Sequence, residues 1–423
     1  MAVGAFLEPL VVVALLIGGA WFNRNTDYGF RDGRAAWESI DGSFKRSDDF
    51  CQPSSSQESL LSADSSWTKH SSPLIDDVPT LRRRKIQLFG YKRTVTSPNT
   101  LVFKHRFLSR VLQRFPFLVE AWYWALIYWV YQLGRAFTAV TLVEDTVNVA
   151  RRHALQVIHL EQRLHMFWEA PIQKWFMQHP ALMHWINRVY SFIHIPGTIF
   201  FLVALYYTTT TRKDRAMSGR VQAHNVTAGP ALYEARRRTM AMCNLLAFVV
   251  FTLWPCMPPR LLSDPGFDGD GAAEAKGFGF VDTVHSSDGE SSVWTTNKFC
   301  NQYAAMPSLH FGYSLLIGLT VATLPVSGVR SASWKRLSII GLGMAYPALI
   351  LTAIVATANH FILDAVAGAI VCGIAWSTNS LLLNLCVIED YFLWMVRIHK
   401  PVNYADPETA VDTQFHSKIW NEA

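Results

Sequence analysis

The chain has 423 residues, of which 50% are hydrophobic and only 17% are charged, and its formal net charge is +6 at pH 7. A soluble domain usually carries about 25% charged residues, so this composition argues against a soluble globular enzyme. The basic residues lie between apolar runs, which favours a membrane topology and argues against nucleic acid as a partner.

Seven apolar runs approach the ~20 residues that a helix needs to cross a bilayer. They cover residues 5–22, 117–137, 184–207, 240–257, 308–324, 337–357 and 359–387. The sequence therefore predicts an all-α polytopic membrane bundle, with a six-span core within 101–387 and one N-terminal transmembrane helix at 1–22. A cleaved signal peptide is the alternative for the first run, but no basic residue precedes it and it contains Glu8.

Two further regions are polar. Residues 23–100 include a Ser-rich stretch at 51–75 that has too little apolar surface to fold, so we predict a disordered cytoplasmic linker. The RRRK run at 82–85 is typical of a topogenic charge cluster; a localisation signal and an anionic-lipid contact are the alternatives. Residues 388–423 are predicted to form a cytoplasmic tail.

Loop charges predict an orientation. Residues 78–116 hold ten Lys/Arg and no acid, whereas loop 258–305 holds three basic and seven acidic residues. Basic loops stay in the cytoplasm, so loop 258–305 is predicted to face the lumen or the exterior. With alternating spans, Arg260, His310, His360 and Asp364 then all lie at lumenal helix ends.

Two motifs near the end of the chain carry the chemistry: MPSLHFG at 306–312 and ANHFILDAVAG at 358–368. Each begins an apolar run with a histidine, His310 and His360. Asp364 follows His360 by four residues, and such residues share a helix face. A buried histidine can be a simple packing residue. Two on one side of a membrane, one of them with an aspartate, favour a nucleophile, its orienter and a proton donor.

At these residues the chain resembles the type-2 phosphatidic acid phosphatase superfamily, and more closely its branch of inositol phosphorylceramide synthases. The resemblance covers roughly 100–387. It implies that His360 is the nucleophile, that Asp364 orients it, and that His310 is the general acid and base.

The same branch carries a PPR sequence, here Pro258-Pro259-Arg260, and an NxxY…H element, here Asn187, Tyr190 and His194. The resemblance implies that these residues bind substrate. The wider superfamily's KxxxxxxRP motif is absent, so we predict that Arg260 binds phosphate in place of its lysine. A boundary anchor is the alternative for Arg260, and buried core positions are the alternative for Tyr190 and His194.

Further histidines lie in an amphipathic stretch together with Glu161 and Glu169: His153, His159, His165, His179 and His184. They lack HExxH or a comparable spacing, so no metal and no other cofactor is predicted. Interfacial helices within 155–176 are the preferred interpretation. Cys256 and Cys300 both fall on the predicted lumenal side, and a disulfide between them is a hypothesis.

The resulting hypothesis is a two-step phosphotransferase acting on phospholipids or ceramide through a phosphohistidine, in the Golgi or endoplasmic reticulum membrane with its site facing the lumen. If the acceptor is water, the enzyme is a lipid phosphatase. A non-catalytic polytopic membrane protein or a transporter is the alternative of another class. The oligomeric state is left open.

Overall fold

The computed structural model of this chain describes residues 2–26, 28, 81–88, 90–141, 146–217, 226–266, 268–284, 302–330 and 332–401. The chain divides into two compact units. The first contains the described residues of Met1–Asn23 and Glu120–Leu382, and the second those of Arg24–Val119 and Leu383–Val402. The predicted membrane domain, 101–387, therefore takes its first and last residues from the second unit.

Helices dominate the described residues, as the sequence predicts. They are α1 Ala2–Phe22, α2 Phe107–Arg114, α3 Phe117–Thr141, α4 Thr146–Arg163, α5 Glu169–Met177, α6 Pro180–Arg188, α7 His194–Tyr206, α8 Arg212–Met217, α9 Pro230–Leu253, α10 Pro259–Leu262, α11 Ala272–Gly277, α12 Leu309–Thr323, α13 Trp334–Ala356, α14 Ile362–Thr378 and α15 Cys386–Met395. Single π-helical segments, Val189–Ile193 and Tyr207–Thr211, connect α6 to α7 and α7 to α8, and a 3-10 helix, Asn379–Leu385, connects α14 to α15.

Three of the described helical stretches are long and apolar enough to cross a membrane: Pro180–Thr211, Trp334–Ala356 and Ile362–Met395. Two shorter apolar helices, Pro9–Phe22 and Leu309–Thr323, fall below that length. A helix of 15 residues such as α12 extends only about 22 Å, against ~30 Å of hydrocarbon. These helices agree with an integral membrane protein, but they do not confirm the count of six spans plus one, which stays a prediction.

Glycines bring α12 close to both α13 and α14. A Cβ atom on Gly318 would lie 2.7 Å from the carbonyl oxygen of Gly343, and a Cβ atom on Gly368 would collide with the carbonyl of Ser308. The backbones can approach this closely only where side chains are absent. The N–H of Ser308 donates to the carbonyl of Asp364 at 2.9 Å. The starts of α12 and α14, which carry the two histidine motifs, are thereby held side by side.

The second unit contains an antiparallel hairpin of β1 Leu81–Leu88 and β2 Tyr91–Pro98. Gly90 between the strands has a φ of 89°, a conformation that glycine adopts readily. These strands lie inside 23–100, for which the sequence predicts a disordered linker, so the structure differs over 81–98. Residues 29–80 of that linker lie outside the described residues. Helix α15 similarly occupies the start of the predicted tail, 388–423.

A buried ion pair explains why the hairpin is ordered. The Arg84 guanidinium donates from Nε to Asp390 Oδ2 at 2.8 Å and from Nη2 to Oδ1 at 2.9 Å. Ser97 Oγ donates to the same Oδ2 at 2.7 Å. All three side chains are buried. A two-stranded hairpin alone is marginally stable, and this two-pronged contact fixes it on α15.

Candidate active site

His310 lies in the first turn of α12, where the motif predicts a helix start. The N-cap residue Ser308 accepts a hydrogen bond from the backbone N–H of Phe311 at 3.4 Å. Pro307 precedes this cap. The His310 side chain is half-buried, so the helix start holds the imidazole and leaves part of it accessible.

His360 lies in the turn just before α14, whose N-cap is Phe361. The sequence predicts His360 and Asp364 on one helix face; in the structure only Asp364 is helical. His360 Nδ1 is 3.5 Å from Asp364 Oδ2, and a shorter contact of 2.7 Å joins Nδ1 to the carbonyl oxygen of Ala305. A carbonyl only accepts, so Nδ1 carries the proton and Nε2 keeps its lone pair.

Asp364 caps α14 as well as facing the imidazole. Its Oδ2 accepts the backbone N–H of Phe361 at 2.8 Å, and the residue is 0% exposed. Its other oxygen, Oδ1, has no hydrogen-bond donor among the residues that the structure describes. Asp364 therefore links the His360 imidazole to the cap of α14.

Aromatic rings surround His310. Its ring centre lies 5.5 Å from that of His360, 4.8 Å from that of Tyr190 and 5.0 Å from that of His194. Tyr190 belongs to the π-helical segment Val189–Ile193, an irregularity that is frequent at functional sites. His194 is buried, and its Nδ1 is 3.0 Å from the hydroxyl of Tyr346. Four of the predicted residues therefore form one cluster, to which Tyr346 is an addition.

Arg260 lies beside the turn that holds His360. Its backbone N–H donates to the carbonyl of Ala358 at 2.8 Å, and its Nε donates to Asn359 Oδ1 at 2.9 Å. Nη1 forms an ion pair with Asp282 Oδ2 at 2.7 Å. Arg260 is thus built into the His360 turn, and the carboxylate of Asp282 occupies one edge of its guanidinium.

Asn187, which is predicted to bind substrate, contacts the backbone and side chain of Thr283 in the structure. Its Nδ2 donates to the carbonyl of Thr283 at 3.2 Å, and its Oδ1 accepts the Thr283 hydroxyl at 3.3 Å. Gln173 binds the neighbouring backbone in the same way, because its Nε2 donates to the carbonyl of Val281 at 2.7 Å and its Oε1 accepts that residue's N–H at 3.1 Å. The two amides hold the segment that presents Asp282 to Arg260.

Two buried glutamates hold the first turn of α14. Glu169 Oε1 accepts the N–H of Ile362 at 2.8 Å, and Glu161 Oε1 accepts the N–H of Leu363 at 2.8 Å. Both are 0% exposed. Their Oε2 atoms have no donor among the described residues, and the negative charge of Glu169 acts on the pKa of Glu161.

Burial raises the pKa of both glutamates, and that of Glu161 to about 9. The charge of the neighbouring carboxyl and that of Asp364 act in the same direction on Glu161. The pair therefore keeps a proton at neutral pH. These residues position the turn that contains His360, a role that their sequence context does not suggest.

A disulfide between Cys256 and Cys300 is predicted from the sequence. Cys256 is buried, whereas Cys300 lies outside the described residues. The pairing stays a prediction.

The family model described as "PAP2 superfamily" matches residues 155–225 and 221–378. Together these segments extend over more than half of the 423 residues. They include both histidine motifs, Arg260 and the two buried glutamates. Comparison with curated proteins gives no match, and comparison with solved structures gives none either.

Proposed function

Because the chain belongs to the PAP2 superfamily, we propose that it is a lipid phosphotransferase of the inositol phosphorylceramide synthase type. Membership of the superfamily supports the coarser part, a phosphatase- or phosphotransferase-type enzyme that acts on lipids. The observation that carries the proposal is the pairing of two imidazoles, whose ring centres lie 5.5 Å apart, with Nε2 of His360 left free by the contact of Nδ1 with Ala305.

In the first proposed step, Nε2 of His360 attacks the phosphorus of a donor phosphodiester. The bond from phosphorus to the donor's alcohol oxygen breaks, and that oxygen takes a proton from His310. The product is a phosphohistidine that carries the head group. The imidazole of His360 becomes positive, and the Asp364 carboxylate at 3.5 Å stabilises this charge.

In the second proposed step, His310 accepts the proton of an acceptor hydroxyl. The hydroxyl oxygen bonds to phosphorus, and the bond from phosphorus to His360 breaks. With phosphatidylinositol as donor and ceramide as acceptor, the products are diacylglycerol and inositol phosphorylceramide. Both histidines return to their starting protonation states, so the cycle needs neither a metal nor a cofactor.

Arg260 is the proposed phosphate-binding cation. Its Nε is held by Asn359, the residue before His360, and a guanidinium offers a planar pair of N–H donors to phosphate oxygens. In this proposal a phosphate oxygen displaces the carboxylate of Asp282 from Nη1. The exchange brings positive charge to the phosphorus as negative charge builds up there.

Tyr190 and His194 are proposed to shape the head-group side of the site. Their rings lie 4.8 Å and 5.0 Å from that of His310, so a bound head group would meet them. Asn187 acts one step away in this proposal, through the segment that carries Asp282. The opposite charges of loops 78–116 and 258–305 support a site that faces the lumen of the Golgi or endoplasmic reticulum.

The test uses the full-length protein in lipid nanodiscs with head-group-labelled phosphatidylinositol, with and without ceramide. Ceramide-dependent transfer of the label is expected. Release of phosphate from labelled phosphatidic acid without an acceptor would instead make the protein a lipid phosphatase. Turnover in neither assay would favour a non-catalytic membrane protein.

Replacing the nucleophile gives the sharpest outcome. His360→Ala should lose all measurable transfer, because His360 supplies the attacking nitrogen in this mechanism. The matched control is His159→Ala, since His159 is exposed and pairs with the exposed Glu274 at 2.7 Å. The control should keep its activity, and full activity in His360→Ala would refute the assignment.

A further inference from the structure

One face of the β hairpin is basic and fully exposed. Arg84 points inward to Asp390, and side chains alternate along a strand, so the next residues on either side point outward. The outward face carries Arg83 and Lys85 on β1 and Lys92 on β2, all exposed. Residues 81–98 contain no acidic side chain. Within these residues the positive charge of this face has no acidic counterpart.

The hairpin is fixed to the end of a candidate membrane span. Asp390, which holds Arg84, lies in the helical stretch Ile362–Met395 of 34 residues. The 34 residues of this stretch exceed the ~20 that a helix needs to cross a bilayer. Glu389 and Asp390 are costly inside hydrocarbon, so the end of the stretch that contains them lies outside it.

Helix α15 also has the exposed apolar side chains of an interfacial helix. Ile388, Tyr391 and Met395 are 66%, 55% and 71% exposed, whereas Asp390 on the other side is buried. A helix with one apolar exposed side next to a membrane span fits the boundary between acyl chains and head groups. The hairpin that Asp390 holds is then located at the level of the lipid head groups.

We propose that the outward face of the hairpin, defined by Arg83, Lys85 and Lys92, docks on anionic lipid head groups of the leaflet where α15 ends. The charge of the face and its location at the bilayer favour this partner over nucleic acid. Basic residues next to a membrane span are attracted to the negative potential of the cytoplasmic leaflet, and the attraction fades within a Debye length of roughly 10 Å. This inference does not depend on the proposed reaction.

The test measures the distance between the hairpin and the head groups in the full-length protein. An azide-bearing amino acid at Thr94, on the same exposed face, carries a fluorophore, and the discs contain lipids with a nitroxide on the head group. Quenching should be several-fold stronger in discs of 30% phosphatidylserine than in discs of phosphatidylcholine alone. High salt should reduce the difference, because it screens exposed charges.

Variants separate charge from general effects. The triple variant Arg83→Gln, Lys85→Gln, Lys92→Gln should quench equally in both discs, whereas Arg83→Lys should behave as the parent. The matched control, Arg330→Gln with Lys335→Gln, removes basic residues from the segment between α12 and α13 and from the start of α13. It should leave the difference in quenching between the two discs intact. Equal quenching of the parent in both discs would overturn the proposal. Binding of a 20-nucleotide RNA that the triple variant abolishes, with no response to anionic lipid, would overturn it in favour of nucleic acid.

Discussion

Glu161 and Asp390 are both buried carboxyls that hold a structural element in place, and the structure stabilises them in opposite ways. Asp390 in the second unit accepts two hydrogen bonds from Arg84 and one from Ser97. Glu161 in the first unit accepts one backbone N–H, and burial beside Glu169 raises its pKa to about 9, so it holds a proton at neutral pH. An arginine stays charged at every working pH, so the contact between Arg84 and Asp390 does not depend on pH. The proton on the glutamate pair can be lost, so the geometry around Glu161 depends on protonation.

The difference follows from what surrounds each carboxyl. Three carboxyls, those of Glu161, Glu169 and Asp364, meet at the N-terminus of α14. The helix dipole and the N–H groups of the first turn, which have no acceptor within the helix, favour an anion there. Three buried anions would nevertheless repel one another strongly. Retaining a proton on the glutamate pair removes part of this repulsion, and leaves Asp364 free to act on the neighbouring His360.

The largest predicted effect breaks the ion pair of the second unit. Arg84→Leu leaves Asp390 buried beside Ser97 without a cation, and removal of one partner of a buried pair costs about 3–5 kcal/mol. Hydrogen exchange of the β2 amides should show the loss as faster local opening. Arg83→Leu on the exposed face is the matched control and should change stability by less than about 0.5 kcal/mol. Unchanged protection in Arg84→Leu would show that the pair does not hold the hairpin.

The sequence predicts the proposed catalytic cluster around His310 better than the residues that support it. The spacing and the helix starts around His310 and His360 indicate the two motifs, and the resemblance adds Tyr190, His194 and Arg260. Local pattern suffices for these residues because each motif lies at the start of an apolar helix. The sequence does not predict that His360 lies before the helix that contains Asp364. The first helical residue is set by the cap at Phe361 and by contacts from α4 and α5, which the local pattern does not reveal.

The glutamates could not be assigned from spacing, because their partners lie far along the chain. One signal was available: Glu161 follows Ala154 and Ile158 at intervals of seven and three residues, so it occupies the buried face of α4. An acid on an apolar face indicates a buried partner, but not which one. The hairpin is missed for a related reason, since Asp390, which orders Arg84, is about 300 residues away.

The next largest effect concerns Glu161 itself. Glu161→Ala leaves the N–H of Leu363 buried without an acceptor, which costs about 1–3 kcal/mol. We expect faster hydrogen exchange in the first turn of α14 and a lower kcat, because the turn that holds His360 loosens. Glu274→Ala, on an exposed side chain, is the matched control. If kcat and exchange both stay at the parent's values, the glutamate does not position the site.

Glu161→Gln tests the protonation alone. Its amide oxygen can still accept from Leu363, and its amide nitrogen can donate to Glu169. In the parent, the pKa of Glu161 is raised by burial from 4.5 to about 9, so the folded state binds more protons than the unfolded state between these values. The contribution of Glu161 to stability is therefore greatest below about pH 4.5 and falls as pH rises towards 9, by at most about 1.4 kcal/mol per pH unit for one proton.

The measurement is chemical unfolding of both proteins at several pH values from 5 to 9. The slope should be smaller in Glu161→Gln than in the parent, and transfer activity should extend to higher pH. Equal slopes in the two proteins would mean that Glu161 does not hold an extra proton in the folded state.

The smallest effect removes one of the three hydrogen bonds to Asp390. Ser97→Ala leaves both contacts from Arg84 in place, so the carboxylate keeps its cation, and we expect a loss of about 0.5–1.5 kcal/mol. Ser97→Thr keeps the hydroxyl and should recover most of it. The same hydrogen-exchange measurement on β2 compares them with Arg84→Leu. A loss as large as that of Arg84→Leu would mean that the Ser97 hydroxyl, and not the Arg84 guanidinium, determines the position of the Asp390 carboxylate. The contrast between the ion pair at Asp390 and the protonated carboxyl at Glu161 would then no longer hold.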